Sequence, residues 1–303
     1  MSSQTNAKQF AQSKSNKNKY FWEYFSEKIF LICALIAVAS LVLIVGFVFM
    51  KGARPFVAEG MSYFDFLFGT DWVPSDKQFG IFPMIIASLL GTLGALVIGV
   101  PIGLLTAIFL AEIAPKRVAK IVTPAVQLLA GIPSVLYGVF GLAVIVPFIQ
   151  KYLDLPKGQS LLAVIIVLAI MMLPTIVTVA ETAIRAVPSA YREGSLALGA
   201  SQIETIFKVI VPSAKSGIIA AIVLGLGRAI GETMAVILVA GNSPIIPTSI
   251  TDSVRPLTTN IALEMSYAFG THQDMLFATG IVLFSFILIL NFVLAKIGSK
   301  AGN

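Results

Sequence analysis

Cysteine and histidine are nearly absent from this chain of 303 residues, which holds one of each, Cys33 and His272. That excludes a disulfide framework and any Cys/His metal cluster, so no metal ligand set is expected. Cys33, inside the first apolar run, is expected to be a small packing residue, and His272 a solvated loop residue. Charge is scarce as well. Asp, Glu, Lys and Arg make up 12% of the chain against 57% hydrophobic residues, with a mean hydropathy of +0.92; a soluble domain would carry about twice that share of charge. No Gly-Lys dipeptide occurs, which excludes a Gly-Lys-[Ser/Thr] phosphate-binding loop. No Ser/His/Asp, Cys/His or paired-carboxylate arrangement suits covalent or acid–base chemistry. The chain is expected not to be an enzyme and to need no cofactor. Its net charge of +6 does not indicate nucleic acid, because basic residues of membrane proteins gather on their cytoplasmic side.

Long uncharged runs dominate what is present. Residues 29–50, 81–111, 121–150, 160–180 and 275–295 carry no charge, and 216–251 is interrupted only by Arg228 and Glu232. Each exceeds the roughly 18 residues that mark a membrane-spanning helix. The fold class is therefore all-α, a polytopic membrane protein with six transmembrane helices. The run 81–111 would be about 46 Å long as a helix against a hydrocarbon core of about 30 Å, so it must tilt or begin outside the membrane. With the N-terminus inside, the inner segments carry fourteen Lys and Arg and the outer segments six; the positive-inside rule places both termini in the cytoplasm.

The organisation read from these runs is a cytoplasmic tail and interfacial helix at 1–28, a first anchor at 29–50, an extracytoplasmic loop at 51–80 and a core of five spans at 81–298. Residues 1–18, rich in Ser, Asn, Gln and Lys, are expected to be unordered. The run 29–50 is too long for a signal-peptide core and is expected to stay as an anchor. Pro101, Pro133 and Pro174 fall within three different spans, and Gly99-x-x-x-Gly103 and Gly227-x-x-x-Gly231 allow helices to approach closely.

Two stretches carry the chemistry. The first is Gly227-Arg228-Ala229-Ile230-Gly231-Glu232-Thr233-Met234-Ala235-Val236, which sets two charges in an apolar run. A charge at the bilayer centre costs on the order of 2.5–3.5 kcal/mol, and such residues mark substrate paths. Arginine stays ionised and offers a planar fork that matches two oxygens of an oxyanion. Arg228 is the expected anion contact. Glu232 is expected to orient Arg228 and to accept a hydrogen bond from a protonated oxygen of the anion. Thr233 and Ser134 are further candidates for lining the path, while Gly227 and Gly231 are read as helix-packing positions.

The second stretch is the connection 181–215, placed inside by the charge count. It holds Glu193-Gly194-Ser195-Leu196-Ala197-Leu198-Gly199 and Val209-Ile210-Val211-Pro212. Leu196, Ile203 and Phe207 are spaced to share one apolar face of a short helix broken near Gly199.

Glu193, Gly194, Ser195, Gly199, Val209, Val211 and Pro212 resemble the EAA loop of bacterial ABC-importer permeases, with Gly-Ser for the usual Ala-Ala and Val for the usual Ile and Leu. Gly131-Ile132-Pro133-Ser134-Val135-Leu136-Tyr137-Gly138 and 227–242 resemble the phosphate permeases of the Pst system, the PstC-type subunit more closely. The resemblance implies a type I importer permease (MetI-like) fold and a coupling loop, Leu196 included, that fits a groove on an ATPase. It also implies the partners: a second homologous permease, two ATP-binding subunits and an extracytoplasmic phosphate-binding protein, in addition to membrane lipid. The function it implies is passage of inorganic phosphate across the cytoplasmic membrane. The alternatives are another oxyanion (molybdate, tungstate or sulfate) or a self-contained proton-coupled secondary transporter. Inverted repeats, which such transporters often show, are not found.

Overall fold

The computed structural model describes residues 2–300, with side chains described from Trp22 to Val293 and at Lys296. Its contacts form two units, Met1–Lys51 and Gly52–Asn303. The first is helical from Ser2 onward and belongs to α1 (Ser2–Ala58). The expected lack of order in residues 1–18 is thus not met after Met1, which lies outside the described residues; Lys, Gln and Ala are good helix formers and can prolong a helix already nucleated. Cys33 is exposed on α1 rather than packed, because nothing within its unit covers that apolar stretch.

Among the described residues, five helices are long and apolar enough to cross a membrane. A sixth is reached if Gln202–Ser213 and Lys215–Gly231, bent by 70° at Ala214, count as one span. The second unit is organised around α3 (Phe82–Ile108) and α7 (Leu161–Arg185). Glycines on α3 let them touch: a β-carbon at Gly103 would lie 2.8 Å from Ile176 Cγ2, and one at Gly99 would lie 3.4 Å from the Ala169 carbonyl oxygen. In lipid such contact is the main attraction available, since apolar surface gains nothing by leaving one hydrocarbon for another. Pro101 and Pro174 lie inside these two helices.

Two apolar runs divide differently from the sequence reading. In 121–150 the span is Ser134–Tyr152, and the preceding α4 (Lys116–Ala130) buries none of its residues. Pro133 stands at the N-cap of α5 (Ser134–Phe140), not inside a span; proline suits that place, where no intrahelical N–H is needed. A π-helical turn at Gly141–Ile145 leads into α6 (Val146–Tyr152). In 216–251, α11 (Lys215–Gly231) stops, α12 (Met234–Val239) follows, and the helix ends for good before Gly241 and Asn242, both at positive φ.

One end of the unit carries α2 (Tyr63–Phe68), the antiparallel pair β1 (Trp72–Val73) and β2 (Gln78–Phe79), the segment 240–256, α13 (Leu257–Glu264) and the start of α14 (Thr271–Lys300). Phe66, Trp72, Phe79, Met84, Leu257 and Met275 make its core. The other end carries the π-helical turn Phe109–Ile113 and α8 (Ser189–Ala197), α9 (Gln202–Thr205) and α10 (Val211–Ser213).

Candidate functional site

The charged pair of the fifth apolar run sits at a break between helices. Arg228 lies in the last turn of α11, beside carbonyls that have no intrahelical partner. Glu232 is extended, at φ −71° and ψ 128°, and its Oε1 accepts the Ala235 N–H at 3.1 Å at the start of α12. Each charge therefore meets a helix end of opposite polarity: the cation a C-terminus, the anion an N-terminus. Arg228 and Glu232 are not an ion pair; the salt bridges among the described residues do not join them. The expectation that Glu232 orients Arg228 is not met by any contact between them among the described residues, because the extended backbone at Glu232 turns its carboxylate to the Ala235 amide. Among the described residues no hydrogen bond is made by the half-buried Arg228 side chain.

The break is held from two sides. Thr258 donates to the Glu232 carbonyl at 3.0 Å, and Thr233 donates to the Gly231 carbonyl at 3.2 Å. Facing it is α5, whose Ser134, Tyr137 and Gly138, with Gly141 just beyond its end, recur at helical spacing. A β-carbon at Gly138 would lie 2.7 Å from Ala235 Cα, so α5 and α12 meet backbone to backbone. The Tyr137 hydroxyl donates to the Leu129 carbonyl at 2.7 Å and lies within electrostatic range of Arg228. Ser134 heads this stripe, half-buried. Among the described residues, no atom outside their own helix would come within 4 Å of a β-carbon at Gly227 or Gly231, so neither is a contact position within this chain.

At the other end, Gly199 terminates α8. Its φ of +89° suits glycine. The Ala200 N–H reaches the Ser195 carbonyl and the Gly199 N–H reaches Leu196, the paired bonds of a Schellman cap. Ser201 and Glu204 then form a capping box that starts α9. The Lys208 hydrogen bond, with those from Ser201, holds the Glu204 carboxyl down to about 2. Leu196, Ile203 and Phe207 are exposed, and Leu198 is 90% exposed at the tip; the three spaced residues fall on α8, α9 and the π-helical turn Ile206–Ile210 rather than on one helix. Glu193 and Gly194 are also exposed, while the Ser195 hydroxyl lies 2.9 Å from that of Thr205. Val209 and Val211 are half-buried, and Pro212 opens α10 just before the bend.

Two polar clusters escaped the sequence reading. Glu264, 8% exposed at its side chain, receives Arg255 Nη1 and the Trp72 indole N–H at 2.8 Å each, with His272 Nε2 also at 2.8 Å. His272 is thus half-buried against a carboxylate rather than a solvated loop residue, because α13 folds back over the β1–β2 pair. Burial, helped by the Glu264 charge, pushes the nearby Tyr267 phenol up. Glu181 receives Arg185 Nε at 2.9 Å and Thr123 at 3.1 Å. The available signal was position: Glu112 and Glu181 each stand at the end of an apolar run, where they served only as boundaries.

Residues 99–301 match the family described as "Binding-protein-dependent transport system inner membrane component". The chain is 40% identical over 290 residues to a "Probable ABC transporter permease protein YqgH" of Bacillus subtilis (strain 168), covering 93% of this chain and 94% of that one. It is 36% identical over 240 residues to a "Phosphate transport system permease protein PstC" of Pasteurella multocida (strain Pm70), covering 73% and 75%. A PstC protein of Haemophilus influenzae is likewise 36% identical over 248 residues, covering 75% and 79%. Among solved structures, a bacterial ABC transporter that imports the acidic polysaccharide alginate matches with a TM-score of 0.64 at 17% identity, over 92% of this chain and 98% of that one. The MetNI methionine ABC transporter in an inward-facing form matches with a TM-score of 0.56 at 19% identity, over 74% and 95%. These two likenesses support the fold, and the family match covers two thirds of the chain. The chain belongs to the binding-protein-dependent inner membrane components: it is a permease subunit of an ABC importer.

Proposed function

We propose that this chain passes inorganic phosphate through the membrane by way of the break between α11 and α12. The observation that carries the reading is Arg228, a permanently charged fork of donors, half-buried in an apolar span and without a hydrogen-bond acceptor in the described chain. An unsatisfied guanidinium at such a place suits a transient oxyanion. Relatives named as phosphate permeases point to the same cargo. Glu232 has its Oε1 on the Ala235 amide, whereas no hydrogen bond reaches Oε2. That oxygen is free to accept the P–OH of monoprotonated phosphate, a proton sulfate lacks at neutral pH. Glu232 then selects among anions instead of orienting Arg228. Thr233 and Ser134 flank the same path.

The working assembly is proposed to contain a second homologous permease, two ATP-binding subunits and an extracytoplasmic phosphate-binding protein. Both termini lie in the cytoplasm, with 1–28 as tail, 29–50 as anchor, 51–80 as outer loop and 81–298 as core. The loop 181–215 meets the ATPase through Glu193, Gly194, Ser195, Leu196, Gly199, Val209, Val211 and Pro212, with Leu198 exposed at its tip. Support for this orientation is the excess of Lys and Arg in the segments it places inside.

Uptake of labelled phosphate by the reconstituted complex tests the site. A lost charged hydrogen bond is worth about 1.5–3 kcal/mol, or roughly 10- to 150-fold. Arg228→Ala is expected to reduce uptake by that factor in an intact complex, with Arg228→Lys between. Uptake within twofold of the parent for Arg228→Ala refutes the assignment. Glu232→Gln is expected to narrow the preference for phosphate over sulfate; unchanged uptake with unchanged preference removes Glu232 from the site. Stronger competition by molybdate, tungstate or sulfate than by phosphate identifies a different cargo, and uptake by the chain alone under a proton gradient identifies a secondary transporter.

A further inference from the structure

The end of α3 is gripped by two arginines. Arg185, from the last turn of α7, donates Nη2 to the Leu110 carbonyl at 2.7 Å. Arg192, from the middle of α8, makes a two-point contact with the Glu112 carboxylate, Nε to Oε2 at 3.1 Å and Nη2 to Oε1. Both acceptors belong to the single π-helical turn Phe109–Ile113. Such a turn leaves helical carbonyls out of register, and π-turns gather at functional sites.

The Glu112 side chain is 4% exposed, so its charge is taken out of water and depends on its partner. Removing one member of a pair leaves the other uncompensated, which is why a buried pair acts as a link between the elements that carry it. The rest of α8 offers little else to hold. None of its residues is buried, and between it and α3 lies a cleft of about 430 Å³ bordered by Ala111, Leu196, Gln202 and Ile206. The apolar anchor of the loop begins at the edge of this cleft: Ile206 and Ile210 pack with Ala107, Ile108, Ile184 and Ile218. The loop therefore rests on the bundle through an apolar contact at one side of the cleft and polar contacts across it, the Arg192–Glu112 pair and the Gln202 amide, which donates to the Glu112 carbonyl at 3.5 Å.

We infer that Arg192 and Glu112 are positioning residues that transmit movement of α8 to the end of α3 and so tie loop displacement to opening of the path. This rests on the reading that α8 meets an ATPase. A guanidinium held by two parallel bonds resists rotation as well as separation. A push on the exposed face of α8 is then delivered to α3 as a directed displacement. α3 packs along α7 through Gly99 and Gly103, so the displacement is carried toward α11, whose Gly225 would also bring a β-carbon to 2.8 Å from Ile176.

The test uses the complete reconstituted transporter with its ATPase and binding protein, comparing the parent with Arg192→Glu, Glu112→Arg, the double reversal and Arg192→Lys. Uptake and ATP hydrolysis are measured on the same vesicles and normalised to the ATPase that co-purifies. Each single reversal is expected to lower phosphate moved per ATP hydrolysed at least tenfold, with basal hydrolysis within twofold of the parent. The double reversal is expected to restore at least half of the ratio, and Arg192→Lys, which keeps the charge and loses the fork, to lie between. If uptake and hydrolysis fall in proportion, the pair is only a structural brace and the inference is overturned. It is overturned equally if single reversals keep the parental ratio, or if the double reversal restores nothing. A parent complex without ATP-driven uptake overturns the underlying reading instead, and the inference with it.

Discussion

Gly138→Ala places one methyl group where two helix backbones meet, and the cost can be worked from distances. The new carbon would stand 2.7 Å from Ala235 Cα, 3.1 Å from the Ala235 carbonyl oxygen and 2.9 Å from Leu238 Cδ1. Carbon atoms rest at about 3.5–4.0 Å. Leu238 can rotate away, but a backbone cannot, so α5 and α12 must separate by about 1 Å. α12 is poorly placed to yield. It is tied by Glu232 to the Ala235 amide, by Gln159 to the Leu238 carbonyl, and by the Ser160 amide to Val239. Overpacking of this kind costs about 1–3 kcal/mol, against a gain of at most about 1 kcal/mol from replacing helical glycine with alanine. The net effect is a loss of up to about 2 kcal/mol, concentrated on the helix that follows Arg228 and Glu232. The purified complex is expected to melt at a lower temperature and to take up phosphate several-fold more slowly. Gly227→Ala is the matched control, with the same chemistry facing open space; the isolated chain is expected to gain up to about 1 kcal/mol. A Gly138→Ala variant that melts and transports like the parent refutes the backbone contact and the importance of its position.

Three further outcomes follow from other parts of the molecule. Glu264→Gln leaves Arg255, 18% exposed, beside a neutral acceptor, and breaking a buried pair costs about 3 kcal/mol; protease cleavage within 51–80 should accelerate, since Trp72 loses its carboxylate acceptor, and an unchanged digestion rate refutes the cluster as a clasp. The capping box at Ser201 depends on an ionised Glu204, whose carboxyl drops from 4.5 to about 2 on folding. A depressed folded value means its contribution is complete above pH 4.5 and lost as pH falls toward 2, so exchange protection of the Ser201 amide should persist at pH 4 and fade below 3. Leu198→Asp puts a charge on the most exposed apolar residue of the loop and is expected to reduce ATPase co-purification at least fivefold while leaving the isolated chain's melting temperature unchanged; equal recovery excludes Leu198 from the contact.

The spans and the loop motif were legible because they depend on local pattern. An uncharged run of twenty residues has few alternatives in lipid, and Gly199 announced a helix end through its own backbone freedom. Helix breaks inside apolar runs were not legible. Pro133 is expected within a span, yet Gly131-Ile132-Pro133 separates an uncovered helix from a spanning one. The charge count missed this because it joined the uncharged second half of α4, residues 121–130, to the span that follows and set Lys116, Arg117 and Lys120 of the same helix aside as a loop. The same limit applies to Arg228 and Glu232: their apolar run shows no sign of a break, yet the extended backbone at Glu232 gives each charge a separate helix end.

The acidic residues that mattered to the fold were visible all along as punctuation. Glu112 ends the run 81–111 and Glu181 ends 160–180, and a charge count treats both as the point where lipid stops. In the structure each is nearly buried and holds an arginine contributed from farther along the chain or one turn away. The two readings share one physical cause. A carboxylate at the rim of the hydrocarbon is close enough to water to be inserted and deep enough that losing its partner is costly. Such a residue bounds a span and fastens whatever element reaches it. Arg192 reaches Glu112 from α8, eighty residues farther along the chain, so the pairing depends on how the loop folds back. A sequence window centred on either partner contains one half of that relationship, and the fold supplies the other.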